Sequence, residues 1–459
     1  MGETVVWSEN LTAEERAIRD SFMPRGSYEV QRDALVEAFH KWPRLGWEAG
    51  SAAGTWFIMP LLQRGKLDIH GWVVEHPHER AGIGKSTAME AVASIWGDPT
   101  VGRLIRSWNG TLNYLESQMA FLHDLPLFLE ELQGTKSTAR IDERSAAELT
   151  AFIHALALGR GRGRLNRDAT MRITSEYNVI AFVAAERSIL DYARTTEGVR
   201  DRVLTIKPPL GTEKTLEAAR ENDRLREIVH QHYGHMGDRT KPVIYDLVVR
   251  RPDEMVKRYD TMCAVLTTMA RVGAEQAGRA ARLAKRVAVG WLGLVAMLEA
   301  CAVEDARDLA RTCTLMAWRD IVEGIPAADN VRDQGLDIVR EYVAAHQAQV
   351  AGFEPVASEG YHDRVTYRIP SEYVGGKAVV DGVECIAVFP EALARFLESR
   401  GMSLDTLRRA WNEAGMIVTD ASGRTSRTVR LRRRDGESLG SPRCIVFRQA
   451  DLLGDEHGE

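Results

Sequence analysis

The chain has 459 residues, which is too long for one compact core and predicts two to four domains. Its 60 basic and 65 acidic residues give a formal net charge of −5, so a local cluster of arginines stands out. Five scattered cysteines without C-x-x-C spacing exclude a disulfide framework and a structural zinc, and they predict a reducing, cytoplasmic location. No apolar run is long enough to cross a bilayer, and the first ten residues lack the basic start of a signal peptide. We therefore expect no membrane association.

The N-terminal segment, residues 1–70, is predicted to be helical. Between Ser27 and Trp42, apolar residues recur at helical spacing, and Leu11-Thr-Ala-Glu-Glu offers a capping pattern further upstream. No group of potentially catalytic side chains is found here. We expect these helices to pack against the domain that follows.

A glycine-containing turn lies between a predicted strand and a predicted helix. Trp72 to Glu75 forms an apolar run typical of a buried strand, and Ser86 to Trp96 has apolar residues at helical spacing. Strand, glycine turn and helix in this order are what a phosphate-binding loop requires, because backbone N–H groups at a helix N-terminus bind anions. The candidate nucleotide-binding residues are Gly82, Ile83, Gly84, Lys85, Ser86 and Thr87.

Two residues of this loop carry the chemistry. The Lys85 ammonium is predicted to reach the β- and γ-phosphates of ATP, and the Ser86 hydroxyl to bind Mg²⁺. The strict pattern G-x-x-x-x-G-K-[ST] is not met, because Glu79 stands where the first glycine belongs. A chance occurrence of Gly-Lys-Ser-Thr is the alternative, so a second motif is needed.

A second motif is found about forty residues later. Leu125 to Leu129 is a short apolar run typical of a central parallel strand, and it ends in Glu130 and Glu131. Ligands of open α/β sheets bind at the carboxyl ends of the strands. Glu130 is predicted to hold Mg²⁺, usually through water, and Glu131 to activate the attacking water as general base. Two solvated acids at the start of a loop are the alternative, and Glu130 replaces the usual Asp.

Arginines follow in two groups. The first lies in a glycine-rich stretch between a helix over Glu143 to Leu158 and a strand over Tyr177 to Ala184, and we interpret it as a contact to phosphate backbones. Its members are Arg160, Arg162, Arg164, Arg167 and Arg172. Glu186 follows the strand, where it can contact both the attacking water and the acids of the preceding strand. Arg200 or Arg202 can project into a neighbouring subunit's nucleotide, with a surface salt bridge as the alternative.

These motifs together resemble a poorly characterised helicase-like family of phages and integrative genomic islands. The resemblance lies in G-I-G-K-S-T-A-M-E-A-V-A-S-I-W-G, S-W-N-G-T-L-N-Y-L-E, L-P-L-F-L-E-E, L-G-R-G-R-G-R, V-A-A-E-R-S and V-R-D-R-V-L-T-I, roughly over residues 55–210. The family belongs to the AAA+ ATPases and is similar to the minichromosome maintenance branch of replicative helicases.

The resemblance implies a hexameric ring that uses ATP and Mg²⁺. Lys85 and Ser86 match the Walker A residues, Glu130 and Glu131 match the Walker B pair, and Glu186 matches the first sensor. Arg202 matches the arginine finger, with Arg200 as the alternative. The stretch 160–172 corresponds to the pore hairpin.

Residues 211–345 are predicted to be helical, and Arg279 to Cys301 resembles the helical lid of the family. The resemblance implies Arg286 as a second sensor, although Arg282 or Lys285 would serve equally well.

The composition changes near Gly352, which predicts a C-terminal domain over 346–459. Helices over Phe389 to Arg400 and Ser403 to Gly415 precede short strand-like segments, and this is the pattern of a winged helix. A basic run follows the second helix and favours binding to nucleic-acid phosphates, with a disordered basic loop as the alternative. Its arginines are Arg424, Arg427, Arg430, Arg432, Arg433 and Arg434.

The predicted fold is thus an α/β P-loop AAA+ core (71–210) with a helical lid (211–345) and a small winged-helix-like domain. One function is an ATP-driven DNA helicase or translocase that replicates a mobile element. Its partners would be single-stranded or forked DNA and a primase, loader or initiator. The alternative is a nucleotide-dependent switch in initiation or anti-phage defence, with weak or no unwinding. Glu79 and Glu130 favour the switch, whereas the arginine groups favour the translocase.

Overall fold

The computed structural model divides the chain into two compact units, Met1–Ile325 and Pro326–Glu459. It describes residues 10–108, 111–130, 143–163, 174–191, 197–211, 213, 215–325, 328–359, 365–400, 402–420 and 422–453. Within these ranges no helix is long and apolar enough to span a membrane.

The first unit is built around a five-stranded sheet in the order β2-β3-β4-β1-β5, and all its pairings are parallel. Its strands are β1 Trp72–Glu75, β2 Ile105–Ser107, β3 Leu127–Glu130, β4 Ile180–Ala184 and β5 Val203–Thr205. Its helices are α1 Ala13–Ser21, α2 Tyr28–Lys41, α3 Pro43–Gly54, α4 Ile58–Gln63, α5 Lys85–Ser94, α6 Leu112–Leu122, α7 Glu143–Leu158, α8 Glu197–Arg200, α9 Leu216–Gln231, α10 His235–Tyr245, α11 Pro252–Met269, α12 Ala274–Ala300 and α13 Ala306–Glu323.

Most boundaries of this unit agree with the sequence predictions, and two shifts have local causes. Thr111 caps α6 as expected, since its hydroxyl accepts the Tyr114 N–H at 3.3 Å. Strand β3 begins only at Leu127, because Pro126 has no N–H to donate to a neighbouring strand. Strand β4 begins only at Ile180, because residues 175–177 pair instead with residues 159–161.

Helices cover both faces of the sheet. On one face α12 packs against α3, α11 and α13, whereas α6 and α7 belong to a second core on the other face. Glycines allow the backbones of α3 and α12 to touch. A methyl group on Gly293 would lie 2.0 Å from the Gly50 carbonyl oxygen, and one on Gly50 would lie 2.4 Å from the Gly290 oxygen. The N-terminal helices and the helices after β5 therefore share one core rather than forming two separate layers.

The second unit combines helices with a five-stranded sheet in the order β11-β14-β10-β9-β6. Its helices are α14 Ala328–Ala345, α15 Pro390–Ser399, α16 Leu404–Glu413 and α17 Gln449–Leu453. Its strands are β6 Val350–Ala351, β7 Val356–Glu359, β8 Val365–Tyr367, β9 Gly375–Val380, β10 Val383–Val388, β11 Arg427–Thr428, β12 Leu431–Arg432, β13 Ser438–Gly440 and β14 Arg443–Arg448. The pairings β9–β10, β10–β14 and β11–β14 are antiparallel, and β6–β9 is parallel.

The boundary between the units lies twenty residues before the predicted one at 345/346. Helix α14 packs against α15 and α16, and Val339 and Val343 belong to the core that contains Trp411. The two predicted helices are present as α15 and α16, but they follow the β9–β10 hairpin and lie on a larger sheet than a winged helix requires. The winged-helix assignment stays a prediction.

Candidate nucleotide-binding site and arginine clusters

The loop between β1 and α5 has the backbone that a phosphate-binding loop needs. Gly82 and Gly84 adopt φ values of 76° and 84°, which only glycine reaches without strain, and Gly84 immediately precedes the first turn of α5. Glu79 is not among the residues with positive φ, so the position where the pattern expects glycine does not require one here. The departure from the strict sequence pattern therefore leaves the loop geometry intact.

Lys85 lies across this loop. Its ammonium donates to the carbonyl oxygen of His78, and the His78 N–H donates to the Ala185 oxygen at 3.2 Å, which ties the loop to the end of β4. Partial burial lowers the pKa of Lys85, and the nearby Glu186 carboxylate opposes that shift. The loop thus holds a half-buried cation at the N-terminus of α5, where a phosphate would bind.

Ser86 and Glu130 meet at the carboxyl ends of the strands. The Ser86 hydroxyl donates to Glu130 Oε1 at 2.5 Å, although the two residues belong to different elements, α5 and β3. Two neighbouring oxygens in an octahedral Mg²⁺ shell lie about 3 Å apart, since each is ~2.1 Å from the ion. If the Ser86 and Glu130 oxygens moved apart by about half an ångström, the pair could hold Mg²⁺. The residues present therefore fit the ion.

The strand order explains why these groups converge. Strand β4 lies between β1 and β3, so Glu186, which follows β4, stands beside both the loop and Glu130. The exposed Glu186 is close enough to Lys85 to influence its pKa. Glu131, the predicted general base, directly follows β3 but lies outside the described residues. Among those residues no group of three or more His, Cys, Asp or Glu side chains forms a metal site.

A buried polar network, which no motif in the sequence indicates, supports the loop from beneath. Glu75, the last residue of β1, accepts hydrogen bonds from the Ser188 hydroxyl at 2.6 Å, the Thr205 hydroxyl at 2.6 Å and the Ile189 N–H at 2.8 Å. Burial raises the pKa of Glu75 against these hydrogen bonds. Its signal in the sequence was a charged residue at the end of an otherwise apolar strand.

A second buried pair lies next to this network. His76 Nδ1 is 2.7 Å from Glu48 Oε1, and both side chains are only 2% exposed. Burial opposes the charged imidazolium, yet the Glu48 carboxylate prevails and the pKa of His76 is raised. Since Glu48 lies on α3, this pair connects the N-terminal helices to the strand that precedes the loop.

Helix α9 packs directly on the phosphate-binding helix α5. The buried Glu90 of α5 is paired with Arg226 at 2.8 Å and lies 3.4 Å from His230 Nε2, both on α9. The side chain of Asn222, one turn before Arg226, lies against Gly84. Helix α9, which the sequence predicts only as part of a helical region, is thus part of the loop's surroundings.

The predicted arginine finger lies at the other edge of the sheet. Arg202 directly precedes β5, and its Nη1 donates to the Gly198 oxygen at 2.6 Å. Neighbouring Asp201 accepts from Arg279 at 2.8 Å and from Arg282 at 2.7 Å, both on α12. Because all five strands are parallel, the amino end of β5 is opposite to the end that carries the phosphate loop.

The predicted second sensor lies in the same place. Arg286 is 5% exposed, and burial lowers its pKa to about 10 although Asp201 and Asp68 oppose the shift. Its Nη1 donates to the Arg282 oxygen at 2.9 Å. These neighbours belong to α12 and to segments at the amino ends of β1 and β5, not to the phosphate loop.

The glycine-rich arginine stretch begins and ends as a hairpin at this same edge. The Gly161 N–H donates to the Ser175 oxygen at 2.9 Å, and Arg160 is paired with Glu176 at 2.9 Å. Arg162 is 3.3 Å from the buried carboxylate of Glu116 on α6. Residues Arg164, Arg167 and Arg172 lie outside the described residues.

In the second unit, the six arginines of the basic run are of two kinds. Arg427 is paired with Asp381 at 2.9 Å, and Arg433 with Asp435 and Glu437. Arg434 donates to the Glu354 oxygen at 3.1 Å, and its guanidinium lies 5.0 Å from the Tyr367 ring centroid. The side chains of Arg424, Arg430 and Arg432 are exposed and make no ion pair among the described residues, whereas the exposed Arg434 also has the contacts above.

Comparisons with known proteins agree with this architecture. A family described as a domain of unknown function (DUF927) matches residues 8–176, which include the N-terminal helices and the phosphate loop. No curated protein is significantly similar in sequence. A solved structure described as "SCCmec type IV Cch - active helicase" matches with a TM-score of 0.65 and 17% identity, covering 94% of this chain and 72% of that chain. The parallel five-stranded α/β fold with its helices is therefore one that a helicase also has.

Proposed function

We propose that this chain is an ATP-dependent DNA translocase or helicase of a mobile genetic element that acts as a ring, with a hexamer as the expected form. The observation that carries the proposal is the contact of Ser86 with Glu130 at 2.5 Å beside the phosphate loop. This contact joins the two motifs that ATP hydrolysis needs. The fold shared with a structure described as an active helicase supports the same conclusion.

In the proposed reaction, Lys85 offsets the charge of the β- and γ-phosphates, and the N–H groups of residues 82–87 orient them. Ser86 and Glu130 would hold Mg²⁺, and the ion would supply positive charge next to the phosphates. Glu131 takes a proton from the attacking water, and Glu186 positions that water from the end of β4.

In the proposed ring, each nucleotide-binding site is completed by a residue of the neighbouring subunit. Arg202 lies at the amino edge of the sheet, so it is directed away from the loop of its own subunit. A head-to-tail interface would bring this edge against the loop of the next subunit, and repetition of such an interface closes a ring. Arg200 at the end of α8 remains the alternative finger.

The proposed DNA contacts come from two places. The hairpin that carries Arg160 and Arg162 would line the central channel, and the solvent-facing arginines of the second unit would bind DNA phosphates independently of the ring. Single-stranded or forked DNA is the expected substrate. A primase, a loader or an initiator is the class of protein that such an enzyme would meet.

The experiment that tests the proposal measures ATP turnover with and without single-stranded DNA, beside unwinding of a forked duplex. We expect turnover to rise when single-stranded DNA is added and the fork to open only when ATP is hydrolysed. Turnover that is indifferent to DNA, together with an unopened fork, would overturn the translocase.

One observation favours the alternative, a nucleotide-dependent switch on DNA. Arg160 and Arg162 already have acidic partners, Glu176 and Glu116, which would compete with DNA phosphates. The test replaces Arg162 by Ala and uses the exposed Arg311 of α13 as a matched control. If the protein is a translocase, Arg162→Ala should lose DNA-stimulated ATP turnover and Arg311→Ala should keep it. If it is a switch, Arg162→Ala should bind DNA as tightly as the parent.

A further inference from the structure

The helix after β5 that faces the phosphate loop is α9, not the segment of α12 that carries Arg286. Helix α9 is fixed there by the pair of Arg226 with the buried Glu90 of α5 and by the pair of Lys41 with Glu221. These contacts hold the residues of the first turns of α9 in a defined position beside the loop.

Asn222 is the side chain that this arrangement brings to the loop. A methyl group built on Gly84 would lie 2.7 Å from Asn222 Nδ2 and 3.0 Å from Leu210 Cδ1, so the amide is in contact with the glycine that precedes α5. Asn222 is half-buried, and its amide has no hydrogen-bond partner among the residues that the structure describes. An amide held against a loop of backbone N–H groups without a partner of its own is suited to bind an anion.

We propose that Asn222 binds the nucleotide directly and donates a hydrogen bond from Nδ2 to a phosphate oxygen. The inference rests on the proposed function, since it assumes that the loop holds a nucleotide. It assigns to α9 the contact within one subunit that the sequence had led us to expect from Arg286. Gly84 is then required for two reasons, its φ of 84° and the space that Asn222 occupies.

Two substitutions of Asn222 test the contact, because the residue lies on the surface of a helix where a small change should not prevent folding. In Asn222→Ala, loss of a hydrogen bond to a charged group should weaken ATP binding about tenfold. In Asn222→Asp, a carboxylate would face the phosphates, and binding should weaken by at least a further order of magnitude. Binding of ATP and of ADP to the full chain would be measured by calorimetry.

Matched controls distinguish loss of the Asn222 contact from an effect of added charge and from a loss of helix stability. Arg224→Ala alters an exposed neighbour on α9, and Ala219→Asp adds the same charge one turn away without touching Gly84. Both should bind ATP like the parent, and all four variants should melt at the same temperature. If Asn222→Ala and Asn222→Asp bound ATP as tightly as the parent, the inference would be overturned.

Lys85→Ala distinguishes this failure from a failure of the proposed function. Should Lys85→Ala lose ATP binding while both Asn222 variants keep it, the loop would be a nucleotide site and Asn222 no part of it. If Lys85→Ala also bound ATP normally, the nucleotide site itself would be refuted, and the inference with it. Equal weakening by Ala219→Asp and Asn222→Asp would likewise refute a direct contact.

Discussion

The two edges of the five-stranded sheet differ in charge and in what they can bind. The carboxyl edge carries the phosphate loop together with the acids Glu75, Glu130 and Glu186. The amino edge carries the base of the arginine hairpin, Arg202 before β5 and the arginines of α12 around Asp201. Because the two edges are the opposite ends of the same parallel strands, the groups at one edge do not meet those at the other within one subunit.

In the proposed reaction, this difference would make a single subunit insufficient. Under the proposed function, the carboxyl edge would hold the nucleotide, the metal ion and the water molecule, and Lys85 is the cation that lies across the loop. The proposed arginine finger, Arg202, which would add positive charge during phosphoryl transfer, lies at the opposite edge. A head-to-tail contact between two copies would combine the two edges.

The largest expected effect concerns Arg202. Arg202→Ala should keep ATP binding but lose turnover by about 10³-fold or more, which is the typical contribution of an arginine finger. Arg311→Ala, which removes an exposed arginine of α13, should turn over ATP normally. Binding and turnover would be measured on the same preparations.

A mixing experiment shows whether Arg202 acts on a neighbour. Subunits with Arg202→Ala and subunits with Lys85→Ala should each be inactive, but mixed rings should recover some activity where an intact loop meets an intact finger. Mixed assembly without any recovery would mean that Arg202 acts in its own subunit or not at all.

The next effect concerns the carboxyl edge alone. Glu131→Gln should keep ATP binding and lose hydrolysis by about 10²- to 10⁴-fold, because the amide cannot accept a proton from water. Glu304→Gln, an exposed carboxylate of the same unit, is the matched control. Hydrolysis at the parental rate in Glu131→Gln would mean that another group is the base.

The carboxyl edge was largely predictable from the sequence. Strand β1, helix α5 and strand β3 have strong local signals, and parallel strands bring their carboxyl ends together, so Ser86 and Glu130 could be expected to meet. The polar support beneath the loop was not predictable. Glu48 reaches His76 across 28 residues, and no periodicity in either segment indicates the partner.

The positions of the helices after β5 could not be predicted from the sequence either. The apolar and basic residues of α12 predict a buried helix. Which face of α12 packs against α3 is decided by the glycine contacts between the two helices. Gly50 and Gly293 in two helices that are far apart in the chain meet only through tertiary packing. As a result Arg286 faces Asp201 and Asp68, and α9 takes the place beside the loop.

A smaller effect is expected for DNA binding by the second unit. Arg430 and Arg432 are exposed, and their side chains make no ion pair within the described residues. Replacing both by Ala should weaken DNA binding in the absence of nucleotide and lower its salt slope by about two units. Arg400→Ala, an arginine of the same unit paired with Glu341, should leave the slope unchanged. An unchanged slope in the double variant would remove the basic run from the DNA-binding surface.

The smallest expected effect is a pH dependence that arises from Glu75 at the carboxyl edge. Burial raises the pKa of Glu75 above its ordinary value of 4.5 in the folded chain. Between those two pKa values the folded protein holds a proton that the unfolded chain has lost, so the stability from this group is present at low pH and falls as pH rises through the folded pKa.

Glu75→Gln removes that ionisation while keeping the shape of the side chain. The amide oxygen can accept the Ile189 N–H, and the hydroxyls of Ser188 and Thr205 can rotate to accept from the amide nitrogen. The free energy of unfolding of the variant, relative to the parent, should therefore rise as the pH increases from 5 to 8. Urea unfolding at the two pH values measures this difference, with Glu304→Gln as control. A variant that lost stability equally at both pH values would show that Glu75 is needed as a hydrogen-bond acceptor. The ionisation of Glu75 would then not lower the stability of the folded chain at high pH.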